Sequence, residues 1–301
     1  MAGKTEFEEF LAETLRRDEG VVVPVKASRL ERAFARKAAT AKLHPNPEDE
    51  FCDPAVGPNL EIISGYVQMI RRGGAVTGDP WGEPLIVQKV RPDGYMLLNG
   101  HHRWAAALKT GYTPVRISVV NLTQEQDIKH MIKSSKHDRR VTLDLDELAF
   151  CPGDGVPAEK PLPFPLNRFY RERLRLGIPA LLHFLGEQGY DIWVYTSKYY
   201  SIEYIRAYFR YYTVKVDGII TGAGRKRSQH QNEIAKQTEK LINSRYIETL
   251  HIDRDLVLRT RRDARIFEEY PVEAKPEDWS LVVMEIVKRL KREGAENESV
   301  L

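Results

Sequence analysis

Five side chains and one neighbouring hydroxyl in the second half of this 301-residue chain have types and spacing suited to phosphoryl chemistry: Asp144, Asp146, Thr196-Ser197, Lys226 and Asp253. Residues two apart on an extended segment face the same side. Asp144 and Asp146 can therefore address one site, one carboxylate attacking and the other moving a proton. The hydroxyls of Thr196 and Ser197 suit a transferring phosphoryl oxygen. Asp253 is a hard oxygen ligand of the kind Mg2+ takes. Lys226 can neutralise developing negative charge, with Lys236 and Lys240 as rivals for that task. A carboxylate nucleophile forms an aspartyl-phosphate and divides one hard displacement into two easier ones. Asp146 would protonate the leaving oxygen and then activate water. Magnesium held by Asp144, the main-chain carbonyl of Asp146 and Asp253 would offset the phosphoryl charge.

Such side chains need a sheet edge to bring them together. Apolar, β-branched runs predict strands at 141–145, 192–195, 216–221 and 247–252. Helical spacing predicts helices at 179–188, 202–212, 229–243 and 276–291. Alternation of this kind implies an α/β fold, with a Rossmann-like parallel sheet covered by helices on both faces. Ligands of such sheets bind beyond the carboxyl ends of the strands, and Asp144, Thr196 and Asp253 each stand at the end of a predicted strand. Taken singly, such residues are more often turns or helix caps. Their shared position and order favour a site.

Val141-Thr142-Leu143-Asp144-Leu145-Asp146-Glu147 resembles the first motif of the haloacid dehalogenase-like phosphatases. Val194-Tyr195-Thr196-Ser197 is similar to their second motif, and His251-Ile252-Asp253-Arg254-Asp255 to their fourth. The resemblance spans about 140–290. It implies a phosphohydrolase or phosphotransferase of the capless type, acting on a phosphorylated small molecule or a phosphoprotein. Glu147 stands where the family often has a small residue or Thr, and the acids of the fourth motif are spaced differently.

In the first half, helices are predicted at 7–17, 30–43, 59–72 and 102–110, the third ending at Gly73-Gly74. Strands are predicted at 21–25, 85–90, 95–98 and 115–120. Asn99-Gly100-His101-His102-Arg103 lies between a strand and a helix. Glycine permits close main-chain approach, amides at a helix start attract anions, and Arg103 offers a two-pronged donor. Phosphate binding is the chemistry expected. This segment, with 84–87 before it and 111–117 after it, resembles the ParB/sulfiredoxin-like fold over about 21–121. That resemblance implies an α+β domain binding a nucleotide such as ATP or ADP. Sulfiredoxins carry a Cys where His101 or His102 stands, so their activity is not expected. The His-His-Arg form is nearest the free serine kinases, whose upstream acid would correspond to Glu48, although Asn99 replaces their acidic residue before Gly100.

The expected organisation is a ParB/sulfiredoxin-like domain at 1–122, a linker helix at 123–139 opened by a Thr123–Gln126 capping box, and a phosphatase domain at 140–301. Apolar residues make up 42% and charged residues 30% of the chain, as in soluble globular proteins. No apolar run reaches the roughly 20 residues that span a bilayer, and the opening stretch has no signal-peptide pattern. A cytoplasmic protein without membrane partners is expected. Cys52 and Cys151 are the two cysteines, too few for a disulfide framework. A net charge of +3 does not by itself argue for nucleic acid. Two rival readings stand beside the enzyme: a nucleotide-responsive, DNA-binding protein on an inactive phosphatase fold, and a serine-type kinase in the first half.

Overall fold

The computed structural model describes residues 6–18, 22–77, 80–150, 155–222, 236, 239–262 and 267–298. The chain forms two compact units, divided between Leu122 and Thr123. Among the described residues no helix is long and apolar enough to cross a membrane.

The first unit contains α1 (Glu6–Asp18), β1 (Val23–Pro24), α2 (Arg29–Phe34), β2 (Lys37–Ala38), β3 (Leu43–His44) and α3 (Leu60–Thr77). It continues with β4 (Leu85–Arg91), β5 (Tyr95–Asn99), α4 (His101–Thr110) and β6 (Val115–Val119). Its sheet is mixed, in the order β2-β6-β4-β5-β3, with β1 pairing the end of β4. Leu85, Val87, Leu97 and Ile117 form the core with Trp104 and the wholly buried Ala105, Ala106 and Ala107 of α4. Three successive alanines with small side chains let α4 pack closely on the sheet, and the left-handed Gly100 marks where it begins.

Two expectations fail in this unit. The helix predicted over 30–43 ends at Phe34, after which 37–38 and 43–44 pair with β6 and β5. No residue of α2 is buried, so packing offers nothing to extend it, whereas β2 and β3 gain ladder hydrogen bonds by leaving the helix. Helix α3 runs through Gly73-Gly74 to Thr77. An interior glycine costs only about 1 kcal/mol relative to Ala, which lowers helix propensity without ending the helix.

The second unit contains α5 (Glu125–Ser134), β7 (Arg139–Asp144), α6 (Ile178–Glu187), β8 (Tyr190–Thr196), α7 (Ile202–Tyr211) and β9 (Gly218–Thr221). After the helical residues 239–245 come β10 (Glu248–Ile252), β11 (Leu256–Arg261), β12 (Glu268–Pro271) and α8 (Trp279–Glu298). The strand order is β12-β11-β10-β7-β8-β9. The four strands from β10 to β9 are parallel, and β11 and β12 add an antiparallel edge. The sheet is thus mixed, where an all-parallel one was expected. Strand β11 folds straight back on β10 through residues 253–255, β12 pairs with β11, and the charges of these two strands mask the strand pattern.

Alternation along β8 shows how both faces are covered. Tyr190, Ile192 and Val194 pack with Leu181, Ile205, Phe209 and Val287 from α6, α7 and α8. Trp193 and Tyr195 turn to the other face, against Ile128, Met131, Ile242 and Tyr246. A Cβ on Gly218 would lie 2.0 Å from the Trp193 ring, so only glycine lets β9 run beside that indole.

The helix read as a linker, α5, thus packs on the second sheet. Its capping box is Gln124 with Asp127 rather than Thr123 with Gln126. Thr123 instead donates to the Ile219 carbonyl at 2.8 Å and accepts from the Thr221 amide, fastening this turn to β9.

Candidate active site

Asp144 is the last residue of β7 and is exposed at the carboxyl edge of the sheet. Registers of Asp144 with Tyr195 and of Leu143 with Ile252 align three strand ends. Asp144, Thr196 and Asp253 therefore emerge along one edge, as the sequence suggested. The chain does not stay extended after Asp144. It enters one turn of π-helix, Leu145–Ala149, and Asp144 Oδ1 caps that turn by accepting from the amides of Asp146 at 2.7 Å and Glu147 at 2.9 Å. Cap and nucleophile are compatible roles for one carboxylate. Oδ1 is anchored, and Oδ2 has no hydrogen-bond partner among the described residues.

Asp146 is oriented by the end of β8. Its carboxylate accepts from Thr196 Oγ1 at 3.0 Å, the Ser197 amide at 2.7 Å and Ser197 Oγ at 2.8 Å. Thr196 is wholly buried, and its hydroxyl also accepts from the Lys198 amide. The two hydroxyls expected to hold a phosphoryl oxygen are thus turned on Asp146. Lys198 Nζ lies 3.6 Å from the same carboxylate. The sequence reading passed over this lysine, although it directly follows Thr196-Ser197.

Asp253 follows β10 and is exposed. Its amide donates to the Leu256 carbonyl, and its Oδ1 accepts from the Arg254 amide at 2.6 Å. Trp279 Nε1 donates to the Arg254 carbonyl at 2.6 Å, securing this loop to α8. Lys226 and Cys151 lie outside the described residues. Lys236 and Lys240 are exposed.

No three His, Cys, Asp or Glu side chains among the described residues group to hold a metal ion. The expected magnesium set is smaller, comprising two carboxylates and a carbonyl. Mg2+ commonly takes one or two carboxylates and keeps several waters. Asp144 and Asp253, exposed at neighbouring strand ends with Oδ2 unpartnered among the described residues, fit that demand. Behind them, burial and the neighbouring Arg140 push His251 down to about 4. Its Nδ1 meets Thr142 Oγ1 at 2.8 Å, so it is a neutral packing group.

In the first unit, Gly100 caps α4 in a left-handed conformation, φ 99°. A Cβ there would meet Leu85 Cδ2 at 2.4 Å. No side chain caps this helix. The three basic side chains are turned to the protein's own main chain. His101, 4% exposed, accepts from the Asn46 amide through Nε2. His102 Nε2 accepts from the Asn59 amide at 3.1 Å. Arg103 donates to the Glu83 carbonyl at 2.9 Å, with Asn99 Oδ1 at 3.5 Å. These residues shape the corner rather than presenting free donors. Asp49, not Glu48, is the acid at His101, 3.5 Å from Nδ1. Glu48 uses its amide to close a turn on Asn46 Oδ1.

Burial pushes the His102 imidazole below its ordinary value, against the opposing charge of Asp49. Its stabilising contribution therefore fades as pH falls through about 6.5, the unfolded value, towards the lower folded one. NMR titration of the imidazole should place His102 below an exposed histidine. A midpoint at or above 6.5 contradicts the burial of this imidazole.

Residues 63–136 match the family model of the ParB N-terminal domain. The span starts in α3, includes the Asn99-to-Arg103 corner and ends just beyond α5. The match supports a ParB/sulfiredoxin-like first half and covers about a quarter of the chain. No curated protein matches the chain.

Proposed function

We propose that the second unit is a magnesium-dependent phosphatase or phosphotransferase of the haloacid dehalogenase-like type. On the ParB-domain match, and not on free donors at the Asn99-to-Arg103 corner, the first unit is its nucleotide- or phosphate-binding module. The observation that carries this reading is the exposed Asp144 carboxylate, pinned through one oxygen and open at the other, beside the strand end bearing Asp253.

Asp144 Oδ2 attacks the phosphorus of a phosphate monoester as the bond to the ester oxygen breaks. Asp146 gives its proton to that oxygen, then takes one from the water that hydrolyses the aspartyl-phosphate. Bound Mg2+ supplies charge stabilisation to the phosphoryl oxygens. Thr196 and Ser197 aim Asp146, acting as positioning residues. Lys198, and Lys226 on the family resemblance, add positive charge near the transferring group.

Hydrolysis of p-nitrophenyl phosphate tests the assignment. Turnover should require Mg2+, vanish with EDTA and return when the ion is restored. Absence of Mg2+-dependent turnover on any phosphate ester would favour the second reading, a nucleotide-responsive or DNA-binding protein on an inactive fold. The ParB-domain match speaks for that alternative. A serine-type kinase in the first unit rests on a neighbouring acid, and Asp49 is the acid beside His101.

A further inference from the structure

Between the π-turn and α6, residues 155–177 form an irregular segment anchored on α7. Tyr170 packs between Tyr204 and Tyr211, with centroids at 4.9 and 5.3 Å. Glu172 accepts from the hydroxyls of both Tyr200 and Tyr204, and Tyr208 donates to its carbonyl. Tyr212 donates to the Lys160 carbonyl. The segment is therefore a fixed platform.

Its outer side has an unusual composition. Phe164 and Phe169 are each 70% exposed, and Arg168 lies over the Phe164 ring at 4.9 Å. Every charged side chain classed as exposed in 155–177 is basic: Lys160, Arg168, Arg171 and Arg173. The exposed charges of α7, Arg206 and Arg210, have the same sign. Three half-buried acids lie among them: Glu172 is occupied by the two tyrosines, Glu159 accepts from the Gly177 amide, and Glu203 stands on α7. Exposed charges of one sign on this segment and on α7, together with two solvent-facing rings, attract an anion and leave apolar surface to cover.

We propose that residues 160–173, with the exposed side of α7, form a binding surface for single-stranded nucleic acid. An inorganic polyphosphate would use the cations and leave the rings bare. An apolar peptide would cover the rings and strand the cations. A chain that alternates phosphates with unstacked planar bases satisfies both, by pairing arginine with phosphate and stacking bases on Phe164 and Phe169. A duplex hides its base faces and meets half of this demand. Tyr200, one of the two tyrosines whose hydroxyls hold Glu172, also lies near the π-turn. Phe150, directly after the π-turn, packs on Tyr200 at 5.8 Å, and the Asp146 charge contributes to raising the Tyr200 hydroxyl, behind burial and Glu172. Binding stands independently of the chemistry assigned to Asp144.

The test is fluorescence anisotropy of a labelled oligothymidylate of about a dozen nucleotides on the full chain in EDTA, where hydrolysis does not enter. Phe164→Ala/Phe169→Ala should weaken binding about tenfold or more. Arg168→Gln/Arg171→Gln should flatten the dependence of log affinity on log salt by about 0.7 for each phosphate that an arginine no longer neutralises. Duplex of equal length should compete poorly. All four positions are exposed, so unchanged melting curves establish that the variants fold. Undetectable binding at low salt, unchanged affinity in the folded double-Phe variant, or a duplex bound as tightly as the single strand would each overturn the proposal.

Discussion

Asp144→Asn should reduce magnesium-dependent turnover of a phosphate ester by on the order of 10^4-fold or more, with the fold unchanged. Asparagine keeps a side-chain oxygen for the amides of Asp146 and Glu147, and Asn and Asp are equivalent helix caps. What it loses is the anionic nucleophile. Asp144→Ala removes both roles and adds a cap loss of about 1 kcal/mol, so Asn separates chemistry from architecture. An acid-quenched reaction with labelled substrate supplies the second readout, a protein-bound acyl phosphate in the wild type and none in Asp144→Asn. Thr196→Ala should retain some turnover, because Ser197 still donates twice to Asp146. Asp144→Asn protein that turns over as fast as wild type would refute the nucleophile assignment.

The positions of Asp144, Thr196 and Asp253 were legible because they depend on where strands stop. Short apolar or β-branched stretches, Val141-Thr142-Leu143 in β7 and Ile192-Trp193-Val194-Tyr195 in β8, run directly into Asp144 and Thr196, so these ends are visible in sequence although Arg139, Arg140 and Asp191 lie in the same strands. The direction of each side chain was not legible. That Asp146 leaves the strand depends on a π-turn closed by the Asp144 carboxylate, and no residue pattern announces that turn. The hydroxyls of Thr196 and Ser197, expected on a phosphoryl oxygen, then meet the Asp146 carboxylate instead. The first half shows the same division. Asn99-Gly100 marked the strand-to-helix corner, since Gly100 must adopt a left-handed φ. The partners of His101, His102 and Arg103 come from residues 46, 59 and 83, and contacts so distant in sequence leave no local trace. Tyr204 of α7 looks like ordinary core spacing until Glu172 is found between it and Tyr200.

Arg259→Met should destabilise the second unit by about 3–5 kcal/mol, the cost of leaving a buried charge without its partner. Arg259 and Glu248 side chains are each 6% exposed. Glu248 Oε2 accepts from Arg259 Nε at 2.7 Å and again from Nη2, while Oε1 accepts from the Tyr190 hydroxyl at 2.6 Å. Arg259 Nη1 also reaches Glu268 on β12 at 3.2 Å. Tyr190, Arg139 and Glu248 are in register, so one network runs from β8 across β7 and β10 to the antiparallel edge. Burial opposes the Arg259 charge, and the two carboxylates more than compensate, raising its proton affinity. The network lies at the strand starts, opposite Asp144, so it should govern stability and leave the chemical step alone. Replacing both partners, Glu248→Met/Arg259→Met, should recover much of the loss, because an apolar pair has no stranded charge. Amide exchange in β10 and β11 measures this unit without interference from the other. Protection should fall steeply in the single variant and return in the double one, with turnover per folded molecule unchanged throughout. If β10 exchange in Arg259→Met matches wild type, the ion pair contributes nothing and the antiparallel edge is held by its main-chain ladder alone.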